Sequence, residues 1–319
     1  MGRKKLVRKA EQTSKRGTAW PRWTGFRGMT VRDWLQLLIV PLALLVISFV
    51  FTMQQDTRQQ RIENQRAKAE RELSEQRAQD EALQAYLDQM SNLLLEKDLR
   101  TSKEDSEVRL LARARTLTIL RGVDPSRKTA VIQFLGDAAL IQSTDTESTE
   151  VIIELSGADL SGATLSASIT DLYGAYLDDA DLRNADLSGA ILTDALLWGA
   201  NLSNANLFAA GLGGAALYGA NLHDANLGRA HLQRANLGRA NLHDANLSGA
   251  DLLGADLHMA DLRNANLSGA ILADADLYGA EGVTSEELDQ QAVSLDGATM
   301  PNGQKYEEWL NDKESRGGD

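Results

Sequence analysis

Leucine recurs at every fifth residue through most of the second half of the chain. It occupies each fifth position over 172–277, which makes 22 leucines. Alanine lies two residues before the leucine in 21 of these 22 units, and only Thr170 departs. The consensus unit is therefore A-(D/N)-L followed by two variable positions, and a weaker start over 155–165 precedes it.

A repeat of five residues fits neither a regular helix nor a regular strand. On an α-helix with 3.6 residues per turn, five residues rotate by about 500°, so the leucines would point to all sides. On a strand, an odd step would send alternate leucines to opposite faces. All 22 leucines become buried if the chain bends once per unit and returns each to a common axis. Coils stacked about 4.8 Å apart would then pair their backbone groups, so the period predicts a solenoid.

The A-(D/N)-L-x-x units resemble those of the pentapeptide-repeat family, and the resemblance covers residues 151–280. The family fold implies a mainly β structure, a right-handed quadrilateral β-helix with four units per coil. The central leucine of each unit would fill the axis, and the alanine two residues before it would pack inside the wall. Carried onto this chain, the resemblance assigns the core to Leu187, Leu207, Leu227, Leu247, Leu267 and Ala225.

Residues 34–53 form an uncharged and largely apolar run, WLQLLIVPLALLVISFVFTM. About 20 residues suffice to cross the roughly 30 Å hydrocarbon core of a bilayer as a helix. We therefore predict a single transmembrane helix through which the chain contacts lipid in the cell membrane. The tail 1–33 carries ten Lys/Arg and two acids, and five basic residues follow within 54–72. The larger basic charge places the N terminus in the cytoplasm, and the basic residues on the other side weaken that inference.

Residues 54–142 are predicted to form a helical stalk and a small helical bundle. The stretch 54–100 contains no Gly or Pro, and an apolar face begins at Leu83. Short polar residues at 101–105 would cap a second helix, and Asp124-Pro125 would start a third. The apolar face leaves self-association through the stalk open. This head of the chain also resembles a membrane-attached bacterial type of the same family.

Two further segments complete the predicted organisation. Residues 143–150 are small and polar, as in a linker. Residues 281–319 follow the last regular repeat and are predicted to cap the solenoid, because an exposed coil edge invites strand pairing. Thr284 and the acids behind it are typical of a helix start, and KYEEWL at 305–310 of a short amphipathic turn. A strand over Val151–Leu155, together with the bundle, would cover the other end.

Residues twenty apart would stack on one wall of such a solenoid. The position after every fourth leucine then forms a column that contains Trp198, Tyr218, His258 and Tyr278. Clustered exposed aromatics are typical of partner-binding surfaces, so this column is the candidate binding surface for a protein. Stacked aromatics also stabilise neighbouring strands without any partner, and this alternative stays open.

The sequence offers little catalytic chemistry. His223 and His243 occur in identical NLHDANL segments and would lie about 5 Å apart on adjacent coils. A two-histidine metal site with Asp224 and Asp244 nearby is conceivable. A zinc site normally requires three or four converging ligands, and duplication explains the repeat, so we predict no metal site. The absence of cysteine excludes disulfides and thiolate chemistry. Without a phosphate-binding loop, nucleophile elbow or dinucleotide fingerprint, we expect no cofactor and no enzyme.

The charge of the repeat region supports two hypotheses. Residues 155–280 carry fourteen acidic and five basic groups. The first hypothesis is a non-enzymatic, membrane-anchored scaffold that presents a rigid surface to a protein partner. The alternative is an acidic regulator that imitates DNA and acts on a topoisomerase, which the resemblance implies because some members of the family do so. Nucleic acid itself is not an expected partner of an acidic surface.

Overall fold

The computed structural model describes residues 30–142, 151–166 and 171–316. Most of the basic tail and the whole predicted linker lie outside the described residues. Thr170, which replaces the alanine of its unit, lies outside them as well. The chain divides into two compact units, Met1–Glu75 and Gln76–Asp319.

Helix α1 runs without interruption over Val31–Glu96. It begins where the Thr30 amide donates to the Asp33 carboxylate at 2.9 Å and the Asp33 amide donates to the Thr30 hydroxyl at 3.3 Å. These bonds satisfy amides that the first turn of a helix leaves free. The predicted span 34–53 and the predicted stalk are therefore one helix, which includes Pro41. The large apolar side chains of the span are exposed, and the helix is long and apolar enough to cross a membrane.

A small helical bundle forms in the second unit. It contains the end of α1, helix α2 (Glu107–Gly122) and helix α3 (Pro125–Asp137). Helix α2 is capped by Ser106, whose hydroxyl accepts a hydrogen bond from the Arg109 amide at 3.4 Å. The predicted cap at 101–105 is thus wrong by at least one residue, because the hydroxyl group that can reach the free amide belongs to the next residue.

Helix α3 begins where it was predicted. The Asp124 carboxylate accepts hydrogen bonds from the amides of Ser126 and Arg127, at 3.0 and 3.1 Å. Pro125 occupies the first helical position, where its missing N–H has no cost. The pKa of the Asp124 carboxyl is lowered, chiefly by the hydrogen bond from the Ser126 side chain. This cap sets the direction in which α3 leaves the short turn after α2.

The bundle core uses the predicted apolar face of α1 and adds Tyr86 and Leu93 to it. Tyr86 and Met90 are buried, whereas Leu83 is only partly buried. The Tyr86 hydroxyl lies 2.9 Å from the hydroxyl of Thr116 on α2, and its ring meets Phe134 edge-on with 6.5 Å between centroids. Burial raises the pKa of the Tyr86 phenol, since its ionised form would lose hydration. The neutral hydroxyl pair is satisfied inside the bundle and holds α1 against α2.

The repeats form a coil with four units per turn. Over residues 171–281, parallel bridges join residues that are twenty apart. The Leu227 amide donates to the Asn246 carbonyl at 2.7 Å, and the Asn246 amide donates to the Ala225 carbonyl at 2.9 Å. Between bridges the chain turns, as where the Ala230 amide donates to the Leu227 carbonyl at 3.0 Å. Within the described repeats the β-structure therefore consists of isolated bridges, because each unit turns again before a longer strand can form.

The leucine of each described unit is buried in the interior of the coil, and its alanine is buried with it except for Ala265, which is partly buried. The five leucines and the alanine assigned to the core are each at most 1% exposed: Leu187, Leu207, Leu227, Leu247, Leu267 and Ala225. The leucines share one wall and recur every twenty residues, so the bridge register stacks them above one another. Interiors of this kind are packed at the density of organic crystals, so a change of even one methylene group is felt.

The helical bundle covers the first coil. The Lys128 ammonium on α3 lies 2.5 Å from the Asp159 carboxylate on the coil, and the Lys128 side chain is 5% exposed. The Thr164 amide, which lies in the same coil, donates to the Thr129 hydroxyl of α3 at 2.9 Å. The predicted strand over Val151–Leu155 is wrong, since that segment makes no bridge. Side chains of α3 therefore satisfy groups that a further coil would otherwise pair with.

At the other end the coil continues beyond the last predicted repeat. Helix α4 (Ser285–Gln291) is inserted, and pairing then resumes between Ile271 and Ser294. Leu295 and Met300 fill the interior at 4% and 0% exposure. The five-residue spacing of Leu295 and Met300 indicates this partial coil in the sequence. The inserted helix α4 hides the pattern, because it shifts these residues out of register with the earlier leucines.

Helix α5 (Tyr306–Arg316) packs over this end. Trp309 is buried, the Tyr306 hydroxyl donates to the Asp289 carboxylate of α4 at 2.7 Å, and the Lys313 ammonium lies 2.8 Å from that carboxylate. The bond to Asp289 raises the pKa of Tyr306 to about 12, and the bonds from Lys313 and Tyr306 lower the pKa of Asp289. The C-terminal helices are thus joined by a charged carboxylate as well as by apolar packing.

We predict that Leu227→Ala lowers the free energy of unfolding by about 2–5 kcal/mol, because the fully buried leucine would leave a cavity in a coil that cannot collapse around it. Thermal unfolding followed by circular dichroism measures the change. The exposed Ser268→Ala variant is the control and should stay within about 0.5 kcal/mol of the parent. Equal melting of Leu227→Ala and the control would contradict the interior position of Leu227.

We predict that Ala225→Leu also destabilises the coil, by about 1–3 kcal/mol or more, because a larger side chain must displace packed neighbours. Ala225 is 1% exposed, and its carbonyl accepts the bridge bond from Asn246. Chemical denaturation, with the midpoint compared at an unchanged slope, separates lost stability from a changed native state. If the variant were as stable as the parent, the alanine positions would accept larger side chains, and the assigned packing of Ala225 inside the wall would be wrong.

Candidate interaction surface

The residue before each leucine lies in the wall of the coil, and in most units it is Asn or Asp. Its side-chain oxygen accepts a hydrogen bond from the amide two residues later, as Asn246 accepts one from Ser248 at 3.1 Å. The same oxygen accepts the side-chain amide of the next coil, as Asn266 donates to Asn246 at 3.3 Å and Asn246 to Asn226 at 3.0 Å. Asparagine ladders therefore run along the coil. Where Asn or Asp occupies this position it has a structural role, and most of the variation falls on the two residues after each leucine.

Each wall of the coil presents one column formed by the residues directly after its leucines. The aromatic column consists of Asp178, Trp198, Tyr218, Gly238, His258 and Tyr278. The histidine column, on the next wall along the chain, consists of Arg183, Ser203, His223, His243 and Arg263. The serine column is two units away from the aromatic column and consists of Ser188, Phe208, Gly228, Ser248 and Ser268.

The aromatic column places large side chains in solvent. Trp198 is 56% exposed, Tyr278 53% and Tyr218 36%, whereas His258 is half-buried. The backbone register aligns them, since the Gly199 amide donates to the Tyr218 carbonyl at 3.1 Å. The bridges thus bring the four candidate residues onto one line, and two of them expose more than half of an aromatic side chain.

Gly238 lies in the middle of the aromatic column and is buried. A Cβ atom at this position would lie 3.1 Å from Cδ2 of Tyr218 and 2.9 Å from Nδ1 of His258. Both side chains therefore lean over the glycine backbone from the two neighbouring coils. The absence of a side chain at Gly238 lets them approach, so the centre of the column is closed and its two ends carry the exposed rings.

The histidine column brings His223 and His243 together, as the spacing predicts. Their ring centroids are 5.2 Å apart and the planes are tilted by 47°. Nε2 of His223 lies 3.1 Å from Oδ2 of Asp224, and Nδ1 of His243 lies 2.7 Å from Oδ2 of Asp244. Two imidazoles and two carboxylates consequently share one patch of the wall.

Charged pairs flank these histidines at both ends of the histidine column. Arg183 binds Asp181 with 2.6 Å between Nη2 and Oδ2, and Arg263 binds Asp261 with 2.5 Å between the same atoms. The guanidinium of Arg183 lowers the pKa of the Asp181 carboxyl, and that of Arg263 does the same for Asp261. Each of these carboxylates is paired with an arginine, so this wall carries less net negative charge than its number of acidic residues suggests.

The second variable position of each unit has an unusual backbone. It adopts positive φ, which suits the Gly, Asn or Asp found in most units. Three arginines of consecutive units occupy this position with φ of 57°, 59° and 56°: Arg229, Arg234 and Arg239. Left-handed backbone costs roughly 1 kcal/mol for such residues. The signal for this strain in the sequence is that most neighbouring units have Gly, Asn or Asp at the same position.

A groove of about 450 Å³ lies between α1 and α2 in the bundle. Its walls are mainly apolar and include Ala82, Ala85, Tyr86, Ala114 and Ile119. No sequence motif marks this groove, because the small alanines that open it are ordinary helix formers.

A family model supports the repeat assignment directly. The model described as pentapeptide repeats matches eight copies, over residues 153–199, 170–207, 192–224, 225–263 and 250–281. The coil and its columns define a solenoid of five-residue repeats. The chain belongs to the pentapeptide-repeat family through this segment. No curated protein matches the chain.

Solved structures of pentapeptide-repeat proteins resemble the chain over about half its length. HetL of the cyanobacterium Nostoc, involved in regulating heterocyst differentiation, is 32% identical over 48% of this chain and 89% of its own, with a TM-score of 0.21. A protein of the Arabidopsis thaliana thylakoid lumen is 26% identical over 50% of this chain and 88% of its own, with a TM-score of 0.26. QnrB1, a plasmid-mediated fluoroquinolone resistance protein, is 19% identical over 51% of this chain and 85% of its own, with a TM-score of 0.31. The fold assignment rests on the repeats and their bridges, since superpositions with such scores add nothing to it.

We predict that Arg239→Gly stabilises the coil by about 1 kcal/mol, because glycine adopts the observed positive φ without strain. Thermal unfolding measures the shift. Arg183→Gly is the matched control, since Arg183 lacks positive φ and binds Asp181, and this change should destabilise. Destabilisation of similar size by both changes would show that the Arg239 side chain contributes more than its backbone costs.

Proposed function

We propose that this protein is a membrane-anchored, non-enzymatic scaffold whose repeat domain binds a protein partner through the aromatic column. The domain would be the right-handed quadrilateral β-helix typical of its family. The observation that carries the proposal is the exposure of Trp198 and Tyr278, each above 50%, on one line of an otherwise regular wall. Tryptophan and tyrosine are enriched among the residues that dominate binding free energy at protein interfaces.

The construction of the coil favours such a role. Backbone amides of successive coils are bonded at distances of about 2.7–3.1 Å, as for Leu197 and Gly199 on the aromatic wall. A surface held in this way loses little conformational freedom on binding, so more of the contact free energy appears as affinity. The outward side chains can change without disturbing the leucines, which makes the columns a natural place for specificity.

The apolar segment 34–53 supports the anchor. Its large side chains, among them Leu45, Ile47 and Phe49, are more than 60% exposed in α1, which suits contact with lipid and not with water. The basic tail before the segment favours a cytoplasmic N terminus and places the repeat domain on the other side of a single-pass span. Anchoring would restrict the scaffold to partners at that membrane surface.

The alternative function is an acidic regulator that imitates DNA and acts on a topoisomerase. Residues 155–280 carry fourteen acidic and five basic groups, and this excess of negative charge favours the alternative. Two of those acids, Asp181 and Asp261, are bound to arginine, and Asp186 and Asp256 accept wall amides from Ser188 and His258. Because much of the acidic charge has a structural use, the scaffold is the stronger hypothesis. Inhibition of gyrase supercoiling by the purified full-length protein would favour the alternative.

We predict that a photoreactive residue in place of His258 crosslinks a partner in cells. Trp198→Ala and Tyr278→Ala, combined in the same chain, should reduce the yield about tenfold or more, because such aromatics commonly contribute over 1 kcal/mol each at interfaces. Phe208→Ala is the matched control, since Phe208 is a 41% exposed aromatic on the serine column. Crosslinks that respond equally to both sets of changes, or that also form from position 268, would contradict binding through the aromatic column.

The orientation can be tested with single cysteines, because the chain contains none of its own. We predict that Ser268→Cys reacts with a membrane-impermeant maleimide in intact cells, since the positive-inside rule places the repeat domain outside. Ser14→Cys in the basic tail should react only after the membrane is permeabilised. The reverse pattern would place the repeat domain in the cytoplasm and leave the anchor intact.

A further inference from the structure

We propose that His223, His243 and Asp244 form an open binding site for one zinc ion on the histidine column. One ligand atom from each of these residues lies within 4.8 Å of the other two. Two imidazoles and one carboxylate are a donor set of zinc sites that keep a coordination position open. The sequence places Asp224 and Asp244 beside the two histidines, and the structure brings a ligand atom of Asp244 within 4.8 Å of both rings. The proposal is independent of the scaffold function.

The hydrogen bonds of His223 prepare it as a ligand. Its Nδ1 lies 3.0 Å from the carbonyl oxygen of His243, and a carbonyl can only accept, so Nδ1 carries the proton. The neutral ring then has its lone pair on Nε2, which lies 3.1 Å from Oδ2 of Asp224. Metal-binding histidines commonly donate their second N–H to a carbonyl or carboxylate in this way. A lone pair beside a carboxylate is unfavourable unless a proton or a cation lies between them.

His243 presents the same arrangement on the next coil. Its Nδ1 lies 2.7 Å from Oδ2 of Asp244, yet it is a buried ring nitrogen that lacks an aligned hydrogen-bond partner among the described residues. The amide of Asp244 donates to the Arg263 carbonyl at 3.0 Å, so the backbone that carries this carboxylate is part of the wall. A cation between Nδ1 and Oδ2 would satisfy both atoms.

The geometry requires only small side-chain adjustments. Ligand atoms at about 2 Å from a tetrahedral zinc lie roughly 3.3 Å apart, so rotations within the group must close the present separation by up to roughly 1.5 Å. The His223 and Asp244 side chains are 40% and 37% exposed and have the freedom to rotate. Asp224 adds a second carboxylate beside the group, while Asp261 is bound to Arg263.

The donor set selects the kind of ion. Imidazole nitrogen suits zinc and neighbouring transition metals, whereas calcium and magnesium prefer a shell of oxygen atoms. Zinc also accepts three protein ligands with water in the fourth position, which an open wall can supply. Because protons compete with a metal ion for imidazole nitrogen, zinc affinity should fall in acid.

The test is zinc binding by the metal-stripped full-length protein in detergent, measured by competition with a chromophoric chelator. We expect one zinc ion per chain. His223→Asn, His243→Asn and Asp244→Asn should each weaken binding about 10–100-fold, and the double histidine variant should lose it. Asparagine at position 244 tolerates the positive φ of 59° found there, so this variant should keep the backbone.

The other two histidines of the chain provide matched controls. His231→Asn and His258→Asn should bind zinc like the parent protein, since neither belongs to the group. Zinc should also raise the unfolding temperature of the parent and of these controls but not that of the double variant. Equal zinc binding by the parent and the double His223/His243 variant, or no binding by the parent at pH 7.5, would overturn the proposal.

Discussion

The structure of the repeat domain depends on one constraint: every fifth residue must return to the same dry axis. Leucine satisfies it in 22 consecutive units, and the alanine two residues earlier leaves room for the neighbouring wall. Such stacking is possible only if the chain turns after each leucine. Each turn requires positive φ at the second variable position of the unit. Burial, turning and bridging are therefore one cooperative arrangement, in which each coil depends on those beside it.

The division of labour within a unit follows from this constraint. Leucine and alanine lie inside, and the Asn or Asp between them is held in the wall by the ladder that Asn226, Asn246 and Asn266 illustrate. The last two residues of a unit point outward, and of these only the first is free of the positive φ that the turn requires. Chemistry is thus confined to columns of residues twenty apart, and the aromatic and histidine columns are the two that combine unusual side chains.

Both ends of the coil are covered by helices, because an open coil presents unpaired backbone groups. At the first coil, α3 provides the buried Lys128 ammonium and the Thr129 hydroxyl, which bind Asp159 and the Thr164 amide. At the last coil, α4 and α5 meet through Asp289. The caps combine these polar contacts with apolar packing, such as that of the buried Trp309, so they end the stacking as well as covering the apolar axis.

The sequence alone determined the five-residue repeat and the apolar segment of α1, because both follow from periodicity and composition, whereas the twenty-residue coil and its columns were implied by the resemblance to the family. Only the tertiary structure decided that α4 interrupts the last coil, that Gly238 lies beneath Tyr218 and His258, and that Asp244 completes a group with His223 and His243. The physical reason is that a period assigns a residue to a wall, whereas contacts between side chains depend on rotamers and on insertions that a period does not contain.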